Sequence, residues 1–287
     1  MMPERLSEDT NRALKAIAET ADQEIDLAEA ALVLASIDRP QVTPDAYRRH
    51  LSALADEVGA YAASRRLNPE SSGDSVEDRI EALTQVIAKR YGYVGTDRDF
   101  EDLDAANLTR VIDARHGLPI AIGIIYIDVA RKLGWSADGV DFPGRFLVRL
   151  DGDGDRALID PFEGGRKLEA PDLRNLLKAV MGLDAELNQS HYAPAENRGV
   201  LVRLQNNIKV RHLQADRIQE ALDQLSVMLS FAPKTPFLWR EAGILYAKME
   251  NIRASVSALE HYLALDAPAG ERRNAVSLLQ DMKNRLN

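Results

Sequence analysis

Few side chains in this sequence have types and spacings suited to chemistry, and each also has a plain structural reading. Asp151-Gly152-Asp153-Gly154-Asp155 sets acids at the first, third and fifth positions of a calcium-type loop. The sixth position is Arg156 rather than Gly and the twelfth is Phe162 rather than Glu, so the run reads as a hairpin connection. His116, just before Gly117-Leu118-Pro119, has the imidazole of a general base. It stands on the far side of that turn from the strands described below, which favours a surface or capping role. Glu29, flanked by Ala28, Ala30 and Ala31, would be costly to bury without a cation, and Arg110 or Arg115 is expected to supply it. His212 and His261 are expected to be surface or packing residues rather than metal ligands. The chain has no cysteine, which excludes disulfides, thiolate metal sites and a sulfur nucleophile. Neither a metal nor a cofactor is expected.

The elements that would position these groups follow from the apolar spacing. Ile25, Leu27, Ala28, Ala31, Leu32 and Ala35 fall at helical intervals over 24–36. Two prolines in 38–44 interrupt the pattern, an amphipathic helix follows over 47–66, and the polar run 68–75 reads as a loop. Helical spacing resumes over 76–91 through Ile80, Leu83, Val86 and Ile87, and 107–115 reads as a short helix. Pro119 then takes the first position of a helix over 119–133, apolar on nearly every face, as expected at the centre of a domain. Gly134 ends it. Residues 142–150 and 156–159 read as strands leading into Asp160-Pro-Phe-Glu-Gly-Gly165, and a helix is expected over 171–181.

Residues 196–287 repeat at the period of tetratricopeptide helix pairs. Trp239, Ala242, Gly243 and Tyr246 match the W-x2-L-G-x2-Y signature of a first helix, and 251–266 supplies the second, followed by Pro268. Thirty-four positions earlier, Ala221 stands in for Ser255 and Leu225 for Leu259, with Pro233 one place short of Pro268. That earlier repeat has Gln205, Lys209 and His212 where the signature would put Trp, Gly and Tyr. A helix over 271–286 reads as a cap. Two repeats are fewer than such arrays usually need to stand alone.

IDLAEAAL at 25–32, RHGLPIAIGIIYIDVARKLG at 115–134, GVDFPGRFLVRL at 139–150 and IDPFEGG at 159–165 together resemble the SirB family, in matching order over nearly the whole chain. These bacterial proteins carry a transglutaminase-like domain followed by tetratricopeptide repeats. The resemblance implies an α+β, mainly helical architecture: a transglutaminase-like (papain-like) domain with a small antiparallel sheet over 1–195, and a helical repeat pair over 196–287. It also implies a Cys-His-Asp triad, in which a helix N-terminus and the imidazole activate the thiol and the carboxylate fixes the tautomer. Carried over residue by residue, the nucleophile position falls at or next to Ala121, the histidine of F-P-G-H-F is Arg145, and Asp160 is retained. Ala121 offers a methyl group, and Arg145 stays protonated at neutral pH. Losing such members typically removes several orders of magnitude of rate, on the order of 10^6 in one well-studied protease. Tyr126 is a conceivable substitute nucleophile but lacks a base. Arg145 is expected to pair with Asp160, and with the helix start near Ala121 it could hold an anion. Glu29, Arg115 and Glu163 also fall inside the matching motifs.

The net charge of −9 is uneven: 13 Lys+Arg against 10 Asp+Glu from Glu196 onward, 23 against 35 before it. An acidic body argues against nucleic acid. The N-terminal run is charged from Glu4 and has no apolar core of a signal peptide, and no apolar run approaches a membrane span. The sequence therefore points to a cytoplasmic, non-catalytic protein that binds a protein or peptide partner through 196–287. The competing reading is an amidohydrolase or acyl-transfer enzyme built on Arg145 and Asp160.

Overall fold

The computed structural model describes residues 6–66, 75–152, 154–266 and 269–286, and it buries the apolar run after Pro119 as composition demands. That run is helix α6, Pro119–Lys132, with every residue from Pro119 to Ala130 buried. Each of its Ile and Val side chains contributes roughly 1.5–3 kcal/mol by leaving water. Proline at the first position costs no hydrogen bond there, and Gly134, at φ 74°, takes the left-handed turn that ends the helix.

The described chain is mostly helical and divides into two units, one spanning Ala21–Leu204. Ahead of α6, this unit holds α2 (Leu27–Asp38), α3 (Asp45–Arg66), α4 (Val76–Leu83, running on as a π-helix over Thr84–Arg90) and α5 (Leu108–Ala114). Asp26 caps α2 by accepting the Glu29 N–H at 2.9 Å. Asn107 caps α5 by accepting the N–H groups of Thr109 and Arg110, and its amide donates to the Ala35 carbonyl at 3.1 Å, tying α5 to α2.

Four strands follow in sequence order as one antiparallel sheet: β1 Ser136–Phe142, β2 Arg145–Gly152, β3 Asp155–Asp160 and β4 Arg166–Leu168. Helix α6 packs on α3, β1 and β2, and α7 (Ala170–Met181) comes after the sheet. The expected strand over 142–150 is corrected. Phe142 pairs with Arg145 across a Pro143-Gly144 turn, Gly144 lying at φ 75°, so a separate strand precedes it. The Asp151–Asp155 connection is a hairpin, as expected: Asp151 is in register with Arg156 and Gly152 with Asp155. Residues 68–74 of the loop expected over 68–75, Asp153 and Pro268 lie outside the described residues.

The second unit joins the described residues up to Thr20 to those from Gln205 onward. The sequence division at 195/196 had left the N-terminal segment with the first module, but helix α1 (Glu8–Glu19) packs on α9 (Ile218–Phe231). Helix α8 (Asn197–Gln214) precedes α9, and α10 (Pro236–Lys248), α11 (Ile252–Ala264) and α12 (Ala269–Leu286) follow in a hairpin succession. The 34-residue offset holds in the packing. Ala221 and Ser255 are both fully buried, as are Leu225 and Leu259. Gly243 lets α10 and α11 close: a Cβ there would lie 2.6 Å from Leu259 Cγ, and Ser255 donates to the Gly243 carbonyl at 2.8 Å.

Candidate functional site

Strand β3 ends at Asp160 and β2 begins at Arg145, so the sheet brings both to one end. Arg145 Nε lies 3.3 Å from Asp160 Oδ2, and Arg145 Nη2 lies 3.7 Å from Glu163 Oε1. The guanidinium carbon also sits 5.0 Å from the centre of the Phe162 ring. Asp160 is 1% exposed, and its Oδ1 accepts the N–H groups of Phe162 (2.9 Å) and Glu163 (3.4 Å). Burial pushes its pKa up, against the pull of Arg145 and of those N–H groups. The charge of Arg145 is thus shared between two carboxylates, and a further anion would compete with Glu163 for it.

Ala121 is fully buried in α6, and its N–H donates to the Leu118 carbonyl at 3.0 Å. The nucleophile position therefore presents a methyl group inside the core. Gly123, two residues on, packs against the strand side of the site: a Cβ there would lie 2.6 Å from Phe146 and 3.5 Å from Pro161. Tyr126 is also wholly buried, and burial followed by the charge of Asp160 pushes its phenol pKa up, so it is a poor nucleophile.

Several expected partners change. Glu29 is bound by Arg48, whose Nε lies 2.8 Å away, and not by Arg110 or Arg115. Spacing along α2 could not reveal this, because Arg48 comes from α3. Arg110 instead reaches Asp104 at 3.4 Å. Arg115, held at φ 65° where α5 ends, donates to His50 Nε2 at 2.6 Å and to the hydroxyl of buried Tyr93. Burial and Arg115 lower the His50 pKa, and burial raises that of Tyr93 to about 12. His116 Nδ1 lies 2.6 Å from Oδ1 of Asp99, a fully buried carboxylate that sequence reasoning missed. His261 stacks on Trp239 with ring centres 4.4 Å apart.

Asp151 is occupied by Arg149 (2.9 Å) and Arg156 (3.0 Å), and among the described residues no group of three acids or histidines is arranged to hold a metal. A cleft of about 540 Å³ lined by Asp22, Asp26, Asp128 and Asp138 is acidic, but each of these acids has a partner. Asp22 accepts the N–H groups of Asn197 and Arg198, Asp26 that of Glu29, Asp128 the Lys132 ammonium, and Asp138 the Arg131 guanidinium.

The sequence pattern of the transglutaminase-like superfamily matches residues 45–206, more than half of the chain and the stretch that carries Ala121, Arg145 and Asp160. The chain belongs to that superfamily. A tetratricopeptide repeat pattern matches residues 208–280. A UPF0162 protein of Xylella fastidiosa (strain Temecula1) is 29% identical over 252 residues, covering 87% of each chain. The UPF0162 protein of Pseudomonas aeruginosa is 29% identical over 248 residues, 86% of this chain and 87% of its own. Protein SirB1 of Salmonella typhimurium is 25% identical over 190 residues, 66% of this chain and 70% of its own. The SirB-type arrangement, a transglutaminase-like domain followed by tetratricopeptide repeats, is the one present here.

Proposed function

We propose that this transglutaminase-like protein is a non-catalytic cytoplasmic adaptor that binds a protein or peptide through its tetratricopeptide helices. The observation that carries the reading is the Arg145–Asp160 ion pair. It sits where the resemblance puts an imidazole–carboxylate pair, in a protein without a cysteine. A permanent cation cannot take up a proton, so Arg145 cannot play the imidazole's part in activating a nucleophile.

Binding through the repeats is supported by an apolar cleft of about 260 Å³ between α9, α10 and α11, lined by Leu222, Leu225, Trp239, Tyr246 and Ala258. Helix pairs of this kind commonly take a peptide or helix against such a surface. The test uses the full chain as bait in native extract, because α1 packs on α9. A partner retained by the wild type and lost with Trp239→Ala supports the adaptor reading; one retained equally by both counts against it.

The alternative, an amidohydrolase or acyl-transfer enzyme using the remnant site around Arg145 and Asp160, draws on the buried Asp160 carboxylate, whose pKa burial pushes up. Glutamine-containing peptides and amine donors, incubated with the purified protein, should show no turnover. Turnover abolished by Arg145→Ala or Asp160→Ala would replace the adaptor reading with an enzymatic one.

A further inference from the structure

His50, Tyr93 and Arg115 meet within hydrogen-bond distance of one another. Arg115 Nη1 lies 2.6 Å from His50 Nε2 and also donates to the Tyr93 hydroxyl, whose oxygen lies 2.9 Å from the same ring nitrogen. A guanidinium only donates, and Tyr93, buried and with its pKa pushed up to about 12, keeps its proton. His50 Nε2 must therefore accept, which puts the proton of the neutral ring on Nδ1. Among the described residues no carboxylate is ion-paired with Arg115, and the Tyr91 and Tyr93 ring centres lie 5.7 and 4.9 Å from its guanidinium carbon. Arg115 also holds a neighbouring segment. At φ 65° its carbonyl accepts the Val94 N–H at 3.3 Å, and Gly95 donates to the carbonyl of Phe162, whose ring lies against Arg145.

We propose that His50 is a pH-sensitive latch: protonation at Nε2 expels Arg115 from its place against His50 and Tyr93 and frees the 93–95 segment that Arg115 holds. A proton on Nε2 would point at one N–H of Arg115 and at the Tyr93 hydroxyl proton, and neither donor has another acceptor in the cluster. The titratable and charged groups facing His50 are Glu57 from its own helix α3, Tyr91 and Tyr93 from the segment after the π-helix, and Arg115 from the end of α5. Glu57 favours the proton, but its carboxylate is engaged by Arg90 at 2.7 Å and by the Tyr91 hydroxyl. Asp113, which acts on Tyr93, is paired with Arg39 at 2.7 Å. Burial first, then the Arg115 charge, lowers the His50 pKa below its ordinary 6.5. The unfolded chain thus binds this proton more readily than the folded one. The latch is complete above about pH 6.5 and is lost as pH falls through that value toward the folded pKa.

Histidine-ring NMR on the full chain follows this titration directly. The expected result is a His50 ring in the Nδ1–H form at about pH 8 that titrates below 6.5. The Val94 and Gly95 amides, corrected for intrinsic exchange rates, should exchange faster as it does so. Each pH unit by which His50 titrates below 6.5 weakens the protonated latch about tenfold. His50→Gln is the control, because its amide oxygen accepts from Arg115 and does not titrate; Val94 and Gly95 should keep their protection in it down to about pH 5. A His50 pKa at or above 6.5, a ring carrying its proton on Nε2, or wild-type amides as protected at about pH 5 as at about pH 8 overturns the proposal. So does equal loss of protection in a folded His50→Gln, and the wild-type measurements decide alone if that variant does not fold.

Discussion

Nδ1 of His116 lies 2.6 Å from Oδ1 of Asp99, a carboxylate with no solvent exposure whose other oxygen accepts the Thr96 N–H at 2.6 Å. The pairing explains why a half-exposed histidine is fixed beside the Gly117 turn. Asp99→Ala removes both bonds at once and should cost about 1.5–3 kcal/mol, read as a lower urea midpoint with an unchanged slope. A shift below about 0.5 kcal/mol would mean that the pair contributes nothing to the fold.

Arg145→Ala leaves Asp160 buried without its cation, which should cost about 3 kcal/mol near neutral pH. The sign of the pH dependence follows from the direction of the Asp160 shift. Burial holds its folded pKa above the unfolded one, and without Arg145 the gap widens. The folded state then binds the proton more tightly, so the deficit should shrink as pH falls through the folded pKa. Melting curves of wild type and variant from pH 4 to pH 8 test this; parallel curves would place the loss elsewhere.

In the repeat unit, Gly243→Ala puts a methyl carbon 2.6 Å from Leu259 Cγ. Overpacking of this kind costs about 1–3 kcal/mol. Hydrogen exchange should show faster opening of α10 and α11, with the amides of α6 unaffected. Equal loosening in both units would contradict a local origin.

Lys209 is 1% exposed and ion-paired with Glu241. Glu241→Ala leaves a buried ammonium uncompensated and should cost about 3 kcal/mol or more. Lys209→Met with Glu241→Leu should recover most of that loss, because well-packed apolar replacements avoid the desolvation penalty. Thermal melts of the single and double variants decide; a double variant as unstable as Glu241→Ala would refute the account.

What could be read along the chain was what repeats or alternates over short distances. The α6 helix, the Asp160 strand end and the second tetratricopeptide pair were all legible from periodicity. Strand β1 was missed because Gly139 and two aspartates dilute its apolar alternation, and the Pro143-Gly144 turn was absorbed into the strand that follows it. Partners drawn from distant elements were missed almost entirely. Arg48 for Glu29, Asp99 for His116 and His50 for Arg115 lie 19, 17 and 65 residues away, and no local pattern marks them. The resemblance to the SirB family put Arg145 and Asp160 at neighbouring triad positions, and their opposite charges then suggested the ion pair. The second carboxylate, Glu163, required the turn after β3 to be seen in space.

The pairing of α1 with α9 also bears on how the chain is made. Helix α1 leaves the ribosome well before its partner, which begins at Ile218, roughly 200 residues later. At ordinary synthesis rates that is about 10–40 s during which the apolar stripe around Leu14 has nothing to cover it. All of Ala21–Leu204 is made in the meantime, so α1 and α9 must find each other across that whole unit. Closure over so long a stretch adds little to the free-energy cost but slows the final step. Helix α1 is thus made long before α9 and is among the last elements to settle, a window in which a chaperone or a wrong partner could seize it.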